Sequence, residues 1–534
     1  MKVLSYIRCT FSTKMMDRKL YPLGIQTFER IRKENMFYVD KTDYVYRMAH
    51  TDGRFFFLNR PRRFGKSLLV STFKSYFEGR KELFEGLAME RLEQKWEEYP
   101  VLLFSLAGGK HLERKQLEDY LLYVIGENEK NYGIQCDAQE PNIRLLNLIG
   151  KVHELTGRKV VLLIDEYDAP LLDVVHVDES LDELRYVMRN FYSPLKDCEP
   201  MLHFVFMTGI TKFSQLSIFS ELNNICNVSM DAAYAGICGI TKDELLDQMG
   251  EETNRLAQHL KWNRDDVVNH LKMHYDGYHF CWPSPDVFNP FSLLHCLAEG
   301  KFNSYWFGSG TPTYLINMMR KFGVKPSQLT GIRAKASSFD AATETMSSLT
   351  PLLYQSGYLT IKGYDDETQV YSLDIPNQEI FVGLYESLLP GYLENSTDEG
   401  KVVIADISSL LKKGKAEDAL QLLADFLETV PYCDHTNYEG HYQQMLYVMF
   451  ALLTGYRIQV EQHTAKGRMD LTIETESTIY VMELKFGKTP QEALLQIDSH
   501  RYADAFRLTG KRIVKVGLNI AAKHDARRLE WLIG

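Results

Sequence analysis

Long apolar runs are missing from this 534-residue chain. No stretch approaches the roughly 20 apolar residues that a bilayer-crossing helix needs, so no membrane span is expected. Cysteine is sparse and scattered, with eight residues and no Cys-x-x-Cys pair. That spacing makes neither a disulfide framework nor a zinc site, and it suits a reducing cytoplasm. A surplus of positive charge is also missing: 61 Lys and Arg stand against 71 Asp and Glu, a formal net charge of −10. A chain that coats nucleic acid by bulk charge is thereby excluded, while a local basic groove is not. There is no internal repeat and no low-complexity linker. Residues 1–20 read as a loose leader, because Arg8 interrupts their few apolar positions and no small-residue cleavage site follows.

What is present is ordinary globular material, 45% hydrophobic and 25% charged, and too long for one domain. The stretch that organises it runs from Phe55 to Leu69. An apolar run, Phe55-Phe56-Phe57-Leu58, stops at Asn59; Arg60, Pro61, Arg62, Arg63, Phe64 and Gly65 are irregular; a helical pattern starts near Lys66 and includes Ser67, Leu68 and Leu69. Strand, tight loop and helix are the layout of a phosphate-binding loop, in which main-chain N–H groups at a helix start face an anion. Lys66 would reach the terminal phosphates, the Ser67 hydroxyl would ligate Mg²⁺, and Gly65 would let the backbone pass close. The triplet Gly-Lys-Ser/Thr is weak alone, and Gly487-Lys488-Thr489 is a second copy in this chain. Arg60 also stands where the full motif has glycine.

Context strengthens the reading. About a hundred residues on, Val160-Val161-Leu162-Leu163-Ile164 reads as a buried parallel strand ending in Asp165 and Glu166. Acids at the carboxyl edge of an α/β sheet sit where such sheets bind ligands. Asp165 would hold Mg²⁺ through water, and Glu166 would polarise a water for attack on the γ-phosphate. The sequence distance between the two motifs requires at least one strand between them.

Tyr38-Val39-Asp40-Lys41-Thr42, Arg60 to Ser67 and Asp165-Glu166-Tyr167-Asp168 together resemble the AAA-ATPase-like family of bacterial and archaeal proteins, many of which carry a C-terminal PD-(D/E)XK nuclease-like domain. The resemblance implies ATP and Mg²⁺ as cofactors, and arginine in place of the first loop glycine is common in that family. It also implies that Tyr38 to Thr42, read as a short strand and a polar turn, helps cover the base. Thr208, with Thr211 second, would sense the γ-phosphate at the tip of a strand from His203 to Met207. Arg62 and Arg63 are left to contact phosphate or a neighbouring subunit, and self-association stays open.

Downstream, helical patterns dominate, including Lys242 to Leu260 and Asn263 to Tyr275, and Ser214 to Asp231 reads as a polar loop. Leu352 to Asp374 has a winged-helix outline. Its tip carries Asp365, Asp366 and Glu367, which repel phosphate, so the wing is expected to pack on the ATPase rather than on DNA. Near the C-terminus, helix, three strands, helix and strand follow in order from Glu439 to Asn519. Gly467-Arg468-Met469-Asp470 and Glu483-Leu484-Lys485 resemble the PD-(D/E)XK core. Glu483 and Lys485, two apart on a strand, face one side. Two carboxylates about 4 Å apart repel by roughly 4 kcal/mol at an effective dielectric near 20, which a bound Mg²⁺ offsets. Asp470, Glu483 and Glu439 are the expected ligands, Lys485 would orient water or steady negative charge, and Gln496 and Tyr502 would support them.

The expected architecture is α/β: a leader at 1–20, a three-layer α/β/α P-loop NTPase domain at 21–240, a helical and winged-helix-like middle at 241–430, and a restriction-endonuclease-like α/β domain at 431–534. The expected function is an ATP-binding and hydrolysing regulatory module joined to a Mg²⁺-dependent nuclease on nucleic acid, with DNA favoured. The alternative is an ATP-dependent signalling or scaffold protein whose nuclease fold binds without cutting.

Overall fold

The computed structural model describes residues 19–109, 112–172, 174, 178–212, 225–307, 313–341, 346–391, 397–429, 438–453, 459–465, 468–521 and 529–534. The leader expected at 1–20 therefore lies almost wholly outside the described residues. The chain forms two compact units, residues 1–306 with 333–377, and residues 307–332 with 378–534. The middle expected at 241–430 is thus shared between them. Among the described residues no helix is long and apolar enough to cross a membrane.

The first unit is built on five strands: β1 (Phe55–Asn59), β2 (Val101–Ser105), β3 (Val160–Asp165), β4 (Leu202–Gly209) and β5 (Ile225–Asn227). They are parallel, in the order β2-β3-β4-β1-β5. Every residue of β1 and β3 is buried, so the sheet is covered on both faces, as continuous apolar strands require. The strand that intervenes in sequence, β2, goes to the edge. The one that intervenes in space is β4, which pairs Leu58 with Thr208 on one side and Ile164 with Met207 on the other. That order brings the carboxyl ends of β1, β4 and β3 to one edge. Helix α1 (Lys66–Phe77) follows β1 directly, with Gly65 as its left-handed N-cap at φ 90°.

Several local expectations change. Residues 36–41 form no strand. Their polar groups turn to side chains instead: the Asp40 N–H donates to Gln248 at 3.0 Å, and the Thr42 N–H to Asp40 at 2.9 Å, where the next helix begins. In the stretch expected to be a polar loop, 213–224 lies outside the described residues, and the rest contains β5, a three-residue edge strand. The helical run expected from Lys242 is two helices, α2 (Lys242–Gln248) and Gly250–Leu260. They join where glycine, a poor helix former, succeeds Met249. Thr241 and Glu244 close a reciprocal capping box at the start of α2. The helices after it share a core of Leu245, Met249, Leu256, Leu271, Tyr275 and Leu293, into which Phe37 inserts.

The winged outline is present in the same unit: α3 (Thr350–Gln355), then β6 (Thr360–Asp365) antiparallel to β7 (Val370–Asp374). It packs on the parallel-sheet core. The Gln355 side chain accepts from the Lys212 N–H at 2.8 Å, and a Cβ on Gly357 would stand 2.7 Å from Pro61.

In the second unit α4 (Tyr438–Leu452) precedes β8 (Gln459–Ala465), β9 (Arg468–Glu474) and β10 (Thr478–Phe486). Then come α5 (Pro490–Ser499), β11 (Arg512–Ile520) and β12 (Leu529–Ile533). The sheet runs β8-β9-β10-β11-β12, antiparallel except for the β10–β11 pair that α5 connects. The helix expected to reach Phe506 ends near His500, because Arg501 takes a left-handed φ of 56° and a 3₁₀ run from Tyr502 follows.

Candidate nucleotide and nuclease sites

The loop between β1 and α1 turns on two left-handed residues, Arg63 at φ 69° and Gly65. Lys66 is buried. Its ammonium donates to the carbonyls of Arg60 at 2.9 Å and Pro61 at 3.0 Å, so the lysine curls back under its own loop. Burial pulls Lys66 down from the ordinary lysine range, and Glu166, Asp168 and Asp165 oppose that pull.

Burial raises the pKa of the Asp165 carboxylate, and the neighbouring Ser67 hydroxyl opposes that shift. Among the described residues, the Asp165 Oδ1 is buried with no hydrogen-bond partner. A buried carboxylate oxygen with nothing to accept from, beside a hydroxyl, is a donor set that suits a hard divalent cation. Glu166, next along, leaves the strand with a φ of 53° and stays half-exposed. Thr208 at the tip of β4 is fully buried, and its hydroxyl also lacks a partner. Thr211 differs, since its hydroxyl donates to Asp168 at 2.7 Å.

Asp168 is a residue to which sequence reasoning gave no role. Fully buried, it accepts from the N–H groups of Ile210 and Thr211, at 3.0 and 2.6 Å to Oδ2, and so ties the exit of β3 to the exit of β4. Glycine at 209 permits this approach, since a Cβ there would stand 2.5 Å from the carboxylate.

The other loop residues divide. Arg60 is buried, and its guanidinium donates to the carbonyls of Asn59, Ser229 and Tyr234 and lies 4.1 Å from the centroid of Phe280. Its side chain therefore braces the base of the loop and does not face the loop's mouth. Phe64 is held edge-on by Tyr278 and Phe280. Arg62 and Arg63 are exposed, with Arg63 over the ring of Phe291 at 4.7 Å and the Arg62 carbonyl accepting from Trp306. Pro61 packs against the wing.

Beside Gly65 lies a mostly apolar cavity walled by Phe37, Val39, Leu68, Leu69, Ile240 and Leu294. Its flanks are braced by the Lys41 ammonium, which bonds Gly236 O at 2.7 Å and Glu244 at 2.5 Å. Asp40 accepts from Thr42 and, at 2.7 Å, from the Ala88 N–H. The polar members of the Tyr38 to Thr42 segment thus hold it in place while Val39 lines the cavity.

In the second unit, Glu483 and Lys485 face one side of β10, both buried. The Lys485 ammonium is wedged between the Glu483 carboxylate and the Gln496 side-chain oxygen on α5. The Gln496 amide nitrogen has no hydrogen-bond partner. The register of β9 on β10 puts Asp470 directly opposite Glu483, and directly opposed positions share a sheet face. Glu439 falls in the first turn of α4. The side chains of Glu439 and Asp470 lie outside the described ones, as does Gly467. Tyr502 begins the 3₁₀ run, stacks on His500 and packs on the core of Ile479, Val481 and Ile497.

Comparison with known proteins agrees with this division. The family model described as a predicted AAA-ATPase matches residues 22–219, and that of the PD-(D/E)XK nuclease superfamily matches residues 437–530. A protein of Azotobacter chroococcum mcd 1, described as "Uncharacterized protein in vnfD 5'region", is 34% identical over 525 residues, which are 95% of this chain and 97% of the relative. The chain belongs to the AAA-ATPase-like family, with a C-terminal domain of the PD-(D/E)XK nuclease superfamily.

Proposed function

We propose that the first unit binds and hydrolyses ATP with Mg²⁺, and that the second cleaves nucleic acid, DNA by preference, under control of the nucleotide. The observation that carries the first half is the Ser67–Asp165 pair beside Lys66, with Asp165 Oδ1 unsatisfied. In this reading the main-chain N–H groups at the start of α1 take the phosphates. The Lys66 ammonium exchanges its two carbonyl partners for phosphate oxygens. Ser67 and Asp165 would hold Mg²⁺, Glu166 would position the water, and the Thr208 hydroxyl would donate a hydrogen bond to the γ-phosphate. The apolar cavity beside Gly65 takes the base. Arg62, Arg63 and the backbone of residues 60–68 complete the loop, with the Arg60 side chain as its brace.

In the second unit Glu483, Asp470 and Glu439 supply carboxylates for Mg²⁺, and Lys485, with Gln496 behind it, steadies the charge that develops on a phosphodiester. A metal bound there would polarise the phosphate and lower the pKa of water. The scattered cysteines, with no Cys-x-x-Cys pair, suit a reducing compartment, and we place the chain in the cytoplasm.

Cleavage of DNA by the full chain, with and without ATP, tests the scheme. Glu483→Ala is expected to abolish Mg²⁺-dependent cutting, and Lys66→Ala to abolish its response to ATP. Cutting that persists in Glu483→Ala overturns the nuclease assignment, and cutting indifferent to both ATP and Lys66 overturns the control.

A further inference from the structure

The end of β4 does not stand alone in the first unit. Just beyond Thr211, Lys212 is gripped by Gln355 at the end of α3 and by Asp340, which precedes the wing. Its N–H donates to the Gln355 side-chain oxygen at 2.8 Å, and its ammonium pairs with Asp340 at 2.9 Å. Gln355 is 1% exposed, and its amide nitrogen is spent on the carbonyls of Phe339 and Ala341 at 3.3 and 2.7 Å. The amide is thus locked with its oxygen toward Lys212, because reversing it would put an NH₂ against an N–H and oxygen against two carbonyls.

Asp340 looks two ways. Its Oδ2 holds Lys212, while its Oδ1 is buried without a partner. Asp340, Gln355 and Tyr354 share a cavity of about 10 Å³ with Asn59, Arg60 and Pro61, the first residues of the phosphate loop. The Arg60 Nε is likewise buried without a partner. Asp340 thus holds the β4 exit through Lys212.

We propose that Asp340 and Gln355 are positioning residues for ATP hydrolysis. They fix the β4 exit, and with it the Thr208 hydroxyl beside Asp165, from α3 and the residues before it. This rests on the ATPase reading above. Neither residue reaches the loop mouth, so their loss displaces the hydroxyl that meets the γ-phosphate while leaving the surfaces that grip the rest of the nucleotide. A displacement of about 1 Å at a reacting centre costs on the order of 100-fold in rate.

The test is steady-state phosphate release by the full chain, with ATP affinity measured separately by competition against a fluorescent ATP analogue. Asp340→Asn and Gln355→Leu are expected to lower kcat by about 10- to 100-fold while leaving the ATP dissociation constant within about threefold. Lys212→Gln should do the same, its combination with Asp340→Asn should be no worse than either alone, and Lys212→Arg should retain most of kcat. Asp365→Asn at the exposed wing tip serves as control and should change nothing. If Asp340→Asn does not fold, Lys212→Gln removes the same ion pair from its more exposed side. Unchanged kcat in these variants, additive losses, or affinity falling as far as kcat overturns the proposal. A wild-type chain that fails to bind ATP overturns the nucleotide reading instead, and one that binds without any hydrolysis overturns only the positioning role.

Discussion

Thr208 gives the plainest contrast between stability and use. A buried hydroxyl without a partner costs a folded protein about 1–3 kcal/mol relative to an apolar group of the same shape. Thr208→Val is therefore expected to raise the unfolding temperature slightly, by about 1 kcal/mol of stability, and yet to lower ATP hydrolysis at least about tenfold. Thermal unfolding and phosphate release on one preparation check both. Asp276, in the loop after Arg264–Tyr275, makes a pH prediction. It is 1% exposed, and burial, aided by the charge of Asp286 and opposed by Gly277, Lys272 and Lys362, pushes it up to about 7. Between the ordinary aspartate range and about 7 the folded chain keeps a proton that the unfolded chain has released, so stability falls as pH rises through that window and levels off above it. Asp276→Asn should be more stable than wild type at pH 8 by about 2–4 kcal/mol, with the gap shrinking toward pH 5 in parallel melts. At this scale sequence was an uneven guide. Residue type and spacing singled out Lys66, Ser67, Asp165, Glu483 and Lys485 as candidates. The burial of Arg60 among carbonyls, and the tie that Asp168 makes to the β4 exit, depend on which chain passes nearby, and a motif carries no record of that.

Elements were legible where they are buried and long. The apolar runs of β1 and β3 declared themselves because both faces of the sheet are covered. Strand β5 did not, because its three residues sit half-exposed or exposed at an edge, and Ile225 and Cys226 are too short an apolar run to mark a strand. Strand β12 was missed for a related reason, as only Leu529 of its five residues is buried. The break after Ser499 was hidden because Arg501 is an ordinary residue in a left-handed conformation, which spacing cannot reveal. One contact between elements yields a further prediction. Helix α5 lies so close over β11 that a Cβ on Gly517 would fall 2.1 Å from the Pro490 carbonyl. Gly517→Ala must push the helix start outward, and with it Gln496 away from Lys485. The expected cost is about 3 kcal/mol in unfolding of the second unit, together with lost cleavage, while ATP binding by the first unit is unchanged. Calorimetry and nucleotide titration of the same variant separate the two.

For the molecule as a whole, motif spacing called for a strand between the two motif segments, but the strand order, with β4 between β1 and β3, and the division into units were not legible. Residues 307–332 are a detached part of the second unit, joined to it by contacts between residues far apart in sequence. Tyr385 donates to the Pro326 carbonyl at 3.2 Å, the Ser327 N–H donates to Gln444 at 3.3 Å, and Phe307 fills the space that a side chain at Gly383 would need. A fragment of residues 378–534 alone is therefore expected to unfold well below the corresponding transition of the full chain, and adding residues 307–332 as a separate peptide should raise its melting temperature.

The backbone passes from one unit to the other three times, after residues 306, 332 and 377. A single cut in the chain therefore cannot release either unit whole, so excising one requires at least two junctions.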